Sequence, residues 1–195
     1  MTISGFKIIN ANVGIDTYMA DYSGFTNNYI ENCLQYGIYM IGNYSTIANN
    51  YITNTGGIHC ALVGCEMVGN VFSKNTIIDS DVWGIYLWNG VNCSIINNFI
   101  SEADVGIDVS YLGVCHGNVI MKNEIRNVAG GIKFDEPVYP GTPPMTENII
   151  SFNYIHDVTP YPGDLGYEIN IEYSGGGVAE NTQIHHNKTR SKIRT

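Results

Sequence analysis

The chain lacks long apolar runs. No segment of its 195 residues approaches the roughly 18 consecutive apolar residues of a transmembrane helix, and the opening MTISGFKIIN is polar and alternating rather than a charged segment followed by an apolar one. Strong helix formers are sparse, which argues against a helical protein. Charge is scarce at 14% of residues, and positive charge scarcer still: 9 Lys and Arg stand against 18 Asp and Glu, for a net charge of -9. Such a surface repels nucleic-acid phosphates and suits an anionic membrane poorly. The five cysteines, Cys33, Cys60, Cys65, Cys93 and Cys115, show no CxxC or Cys/His metal spacing. They read as small buried hydrophobes, with a Cys93–Cys115 bridge between neighbouring repeats as the alternative. The three Asn-x-Ser/Thr triplets at Asn43, Asn92 and Asn187 are expected by chance in so Asn-rich a chain.

Asn, Gly, Ile and Tyr fill the space instead, and they recur. Asn-x-Ile fragments place asparagines at Asn28, Asn50, Asn75, Asn98, Asn123 and Asn153, with a degenerate copy at Asn187; the separations are 22, 25, 23, 25, 30 and 34. Self-similarity at 20 to 50 residues signals a stacked architecture. After each Asn comes a Gly-Ile element: VGID, YGIY, GGIH, WGIY, VGID, GGIK and finally LGYE ending at Glu168. A third β-branched element precedes each Asn, as in STIANN and CSIINN. Each element is too short for a helix and rich in strand formers.

Three short strands per repeat predict an all-β fold, a right-handed single-stranded parallel β-helix of about seven to eight coils. The whole of 1–195 reads as a single domain, and with no obvious cap at either end it is expected to be a piece of a longer β-helix or an assembling chain. Each coil buries an Ile-rich row that it cannot bury alone, and the Asn column is expected to stack as an amide ladder at one turn. These NxI…GIx repeats resemble the pectate-lyase-like superfamily of right-handed β-helices over roughly residues 3–190. That superfamily includes polysaccharide lyases, glycoside hydrolases, alginate epimerases, phage tailspikes and a periplasmic copper-handling protein, so the resemblance implies a fold and leaves the activity open. Polygalacturonase-type GHG and RIK motifs and the epimerase DPHD motif are absent.

Period-two alternation along the Gly-Ile strand sends Ile15, Ile38, Ile58, Ile85, Ile107, Ile132 and Tyr167 inward, and Asp16, Tyr39, His59, Tyr86, Asp108, Lys133 and Glu168 outward. One outward position further lie Tyr18, Ile41, Ala61, Trp88, Ser110, Asp135 and Asn170. Aromatics beside carboxylates suit sugar rings, whose flat faces stack and whose edges hydrogen-bond. The expected substrate-binding residues are therefore His59, Tyr39, Tyr86 and Trp88. Two Pro/Gly-rich insertions, 136–148 and 156–166, are placed to wall the same sheet.

Asp108 and Asp135 sit one coil and one outward position apart. The spacing of strands and residues puts them roughly 8 Å from each other, within the window for an inverting carboxylate pair. Lys133, between Asp108 and Glu168, could neutralise a uronate, and these carboxylates could hold Ca²⁺ in a lyase-type reaction. The catalytic candidates are thus Asp108, Asp135, Lys133 and Glu168. The expected protein is a secreted or cell-surface one acting on or binding a polysaccharide, with no nucleic-acid partner and no membrane span. The alternative is a structural or adhesive β-helix that self-associates through its coil ends or faces.

Overall fold

A computed structural model describes residues 1–60, 67–110, 115–136, 146–159, 166–173 and 181–190, with the backbone alone described at 58–60, 110, 135, 136, 172 and 173. These residues form a parallel β-helix. The strand before each Asn builds an eight-stranded first sheet: Thr2–Ser4, Gly24–Thr26, Thr46–Ala48, Val71–Ser73, Ser94–Ile96, Val119–Met121, Ile149–Ser151 and Gln183–His185. All its neighbours are parallel and in unbroken register, and they number the rungs 1 to 8. The strand after each Asn builds the second sheet, and the Gly-Ile strand the third.

On rungs 4, 5 and 6 the second and third strands do not separate. They run on as single bent strands, Thr76–Trp88, Phe99–Ser110 and Glu124–Glu136, so these coils have two strands where the sequence predicts three. The bend is carried by one left-handed residue per rung, Asp79, Glu102 and Asn127, with φ of 57°, 59° and 51°.

The core is three stacked columns. Phe25, Ile47, Phe72, Ile95, Ile120 and Ile150 come from the first sheet; Ile30, Ile52, Ile77, Ile100, Ile125 and Ile155 from the second; Ile15, Ile38, Ile85, Ile107 and Ile132 from the third, all buried. Burying one such side chain is worth about 1.5–3 kcal/mol. An isolated coil would leave both edges of its row in water, so the stack stabilises itself only as neighbours are added.

The Asn column occupies the turn between the first and second sheets. Asn98 is typical: its backbone N and Nδ2 donate to Asn123 Oδ1 at 2.9 and 3.0 Å, and Nδ2 also donates to Phe72 O at 3.0 Å. Asn75 in turn donates to Asn98 Oδ1 through N and Nδ2, both at 3.0 Å. The pattern runs from Asn28 to Asn187 without a break. The residue just before each ladder Asn is left-handed whether it is Asn97, Lys122 or Phe152. The corner therefore selects the inward amide and tolerates the strain beside it.

A second ladder runs at the turn leading into the first sheet, through Ser23, Ser45, Asn70, Cys93, Asn118 and Asn148. Ser45 N donates to Asn70 Oδ1 at 2.9 Å and Cys93 N to Asn118 Oδ1 at 3.0 Å. Cys93 fills a rung with a thiol whose Sγ–H points at Met67 O, 3.2 Å away. Cys33, Cys93 and Cys115 are buried thiols outside any disulfide, so the Cys93–Cys115 bridge does not form. Cys60 and Cys65 lie outside the residues whose side chains are described.

Glycine before the inward Ile meets a packing demand. A Cβ on Gly84 or Gly106 would collide with Ile100 Cγ2 or Ile125 Cγ2 of the next rung. The sheets meet at this corner too closely for any side chain.

Candidate functional site

The third sheet keeps the expected register over most of its length. Asp16 pairs with Tyr39, Tyr39 with His59, His59 with Tyr86, Tyr86 with Asp108, and Asp108 with Lys133. Trp88, Ser110 and Asp135 form the next column. The diagonal relation of Asp108 to Asp135 therefore holds at the backbone. The side chains of His59 and Asp135 lie outside the described residues.

The last rung departs from expectation. Lys133 pairs with Asn170, not Glu168, and Asp135 pairs with Glu172, not Asn170. Ile132 pairs with Ile169, so Tyr167 is not the inward residue. Tyr167 instead pairs with Gly130, and its ring occupies the space a Cβ at Gly130 would need. Glu168 falls beside Gly131. The Gly of LGYE is not a repeat Gly; the β-branched, partly buried Ile169 packs against the core column in line with Ile132, and that packing sets the register. Glu168 therefore does not neighbour Lys133.

The centre of the face is an aromatic cluster around a buried carboxylate. Trp83 stacks on Tyr86 with centroids 4.5 Å apart and planes 20° apart, and Tyr86 lies 6.3 Å from Trp88. The indole Nε1–H of Trp83 donates to Asp108 Oδ2 at 3.0 Å. Asp108 is only 5% exposed although it points out of the barrel. Covering a carboxylate is costly unless it is hydrogen-bonded or paired; here the indole supplies a bond and Lys133 lies across the rung. Tyr39, on rung 2, stacks on Tyr36 at 5.5 Å.

Trp83 and Tyr36 were not among the residues expected from the sequence. Both precede the Gly of a WGIY or YGIY repeat, a position that forms a third outward column: Trp83 pairs with Val105, and Val105 with Gly130. The aromatic before Gly was the available signal. Both rings also line an open hollow of about 240 Å³ with Leu34, Gln35, Gly56, Asp81 and Val82. A second hollow, about 330 Å³, lies along the same corner on later rungs, between Ser80, Glu102, Asp104, Asn127 and Thr159.

Among the described residues no group of three or more His, Cys, Asp or Glu side chains is placed to hold a metal ion. A Ca²⁺ ion takes roughly six to eight oxygens, and the described donors around Asp108 do not supply such a set. Most of the two Pro/Gly-rich insertions, 137–145 and 160–165, lies outside the described residues. No helix among the described residues is long and apolar enough to cross a membrane.

The sequence model of the right-handed β-helix region matches residues 13–137, well over half of the chain. The chain belongs to the right-handed β-helix family. The matched span holds five of the eight first-sheet rungs, Gly24–Thr26 to Val119–Met121. It also holds the whole Trp83–Tyr86–Asp108 cluster of this β-helix. No curated protein matches the chain.

Proposed function

We propose that this β-helix is a secreted or cell-surface protein that binds a polysaccharide along the outer face of its third sheet. The observation that carries the reading is the row of Trp83, Tyr86 and Trp88 rings, with Trp83 bonded to the covered carboxylate of Asp108. Half-buried rings beside a held polar group offer a sugar both a stacking surface and a hydrogen-bonding edge. The parallel stack repeats such positions at each rung, about 4.8 Å apart, which suits a chain-like ligand.

Turnover is the second part of the proposal. Asp108 and Asp135 are the carboxylates we assign to it as an acid–base pair, with Lys133 beside Asp108 to face an anionic sugar. Asp108 already accepts the Trp83 indole N–H at Oδ2 and is 5% exposed, so the side chains covering it have to shift for it to meet a water or a sugar hydroxyl. Ca²⁺ would serve a lyase-type reaction by neutralising the sugar carboxylate, and its addition tests this.

The test is a polysaccharide panel, with and without Ca²⁺, following reducing ends and the absorbance of unsaturated uronates. Reducing ends without absorbance, lost in Asp108→Asn and Asp135→Asn, are expected for a hydrolase. Absorbance would move the reaction to a lyase and to Lys133. Binding without turnover would remove the catalytic assignment and keep the binding face. Silence across the panel would contradict the reading and leave the β-helix as a structural or adhesive element.

A further inference from the structure

The outer face of the second sheet carries a feature that the polysaccharide face does not use. Its residues stack in register from rung 5 to rung 8: Ser101 beside Arg126, Arg126 beside His156, His156 beside Arg190. In the next column Phe99 and Glu124 pair, then Glu124 and Tyr154, then Tyr154 and Lys188. A chain with only 9 Lys and Arg thus gathers Arg126 on one side and Lys188 and Arg190 on the other, one rung either side of a single histidine.

The rings hold these cations in place. The Arg126 guanidinium sits 4.9 Å from the Phe99 centroid, and Lys188 Nζ 4.8 Å from that of Tyr154. His156 stacks on Tyr154 at 4.3 Å. Cation–π contact fixes a charge without neutralising it. Among the described residues Arg126 has no carboxylate in ion-pair range. His156 does have acidic company: Nδ1 faces Asp157 Oδ2 at 2.9 Å and Nε2 lies 3.6 Å from Glu124 Oε1.

Three consecutive rungs also bury a polar atom with no partner at hydrogen-bond distance: Ser101 Oγ, Arg126 Nε and His156 Nε2, the last with the Glu124 carboxylate 3.6 Å away. Ser101 is 2% exposed. Such groups are nearly always satisfied in folded proteins. Three unsatisfied ones in a line, two of them able to donate to an anion as they stand, point to a partner from outside. Arg in particular offers a planar fork that matches a carboxylate or sulfate group.

We propose that Ser101, Arg126, His156 and Arg190 form an oxyanion-binding site, taking a carboxylate or sulfate group either free or carried on a polymer. The site is separate from the third sheet and does not depend on the function proposed for it.

The test uses the whole chain. Calorimetric titrations compare dextran sulfate with neutral dextran, and the His156 ring resonances are followed with sodium sulfate against sodium chloride at equal ionic strength. The wild type is expected to bind dextran sulfate and not dextran, with sulfate shifting the His156 signals. Arg126→Gln should weaken binding roughly tenfold or more, the loss expected for one charge-assisted contact. Arg126→Lys should fall between the two. Lys7→Gln removes a cation at the far end of the same sheet and should leave binding unchanged. Free sulfate acting as strongly as the polymer would assign the site to small oxyanions; a response to the polymer alone would assign it to an anionic chain. Equal losses in Arg126→Gln and Lys7→Gln, unchanged binding in Arg126→Gln, or no response to either sulfate source would overturn the proposal. Melting curves of each variant separate lost binding from lost folding.

Discussion

The Asn corner and the outer face of the third sheet are built from the same coils and obey opposite rules. At the corner every rung from 2 to 8 repeats one side chain in one geometry, because each amide completes the hydrogen bonds of the rung before it. On the outer face no rung repeats its neighbour: Asp16, Tyr39, His59, Tyr86, Asp108, Lys133 and Asn170 follow one another along one column. Inside, the neighbours dictate the residue. Outside, the stack only supplies spacing, and chemistry is free to vary. Variation along an otherwise periodic column is where recognition is to be sought.

Breaking the corner should cost most. Asn98→Ala removes the two bonds that Nδ2 donates and strands two donors of Asn75. A loss of about 3–5 kcal/mol is expected from the unsatisfied buried groups alone, measured by denaturant unfolding. Gly106→Ala, at the close approach to Ile125, should cost about 1–3 kcal/mol through overpacking.

Cys93 sharpens the comparison by pH. Burial pushes its thiol up from 9.0 to about 11. The folded state therefore holds this proton more tightly than the unfolded one. The corresponding stability is fully present below about pH 9 and is lost as pH rises through about 11. Unfolding titrations should show this decline in the wild type and a shallower one in Cys93→Ala, and native Cys93 should resist alkylation at pH 8.

The smallest effect belongs to the ladder that faces water. Asn54 Nδ2 donates to Asn32 Oδ1 at 2.7 Å, and Asn32 Nδ2 to Asn10 Oδ1 at 3.3 Å, both exposed. Asn32 has φ 55°, so Asn32→Gly keeps the backbone and removes only the amide. A change within about 0.5 kcal/mol is expected. A loss as large as that of Asn98→Ala would mean that repetition itself, rather than burial, makes a ladder strong.

The sequence was most legible where the neighbours dictate. The seven ladder asparagines and the Ile columns of the second and third sheets stand where periodicity puts them, apart from the final rung. There LGYE mimicked a Gly-Ile element, and the packing of Ile169 against the core overrode the match. The second ladder escaped notice because Ser23, Ser45, Asn70, Cys93 and Asn118 share an acceptor or a small volume but no residue name. Trp83 was missed for a different reason. Its reach across a rung to Asp108 depends on side-chain direction, which spacing along a strand does not carry. The fused strands of rungs 4 to 6 were hidden because a bend made by single left-handed residues looks like any polar break.

The central claim is that the third-sheet face recognises a polysaccharide, and the chain offers its own reporter. It contains two tryptophans, Trp83 and Trp88, and both stand on that face. The decisive measurement is a titration of intrinsic tryptophan fluorescence with a polysaccharide panel, for the wild type and for Tyr86→Ala. A saturable change with at least one polysaccharide, weakened roughly tenfold or more when the Tyr86 ring is removed, is the predicted result, given about 1–3 kcal/mol for a stacking ring. No change with any member of the panel, or an equal change in Tyr86→Ala, would contradict the account.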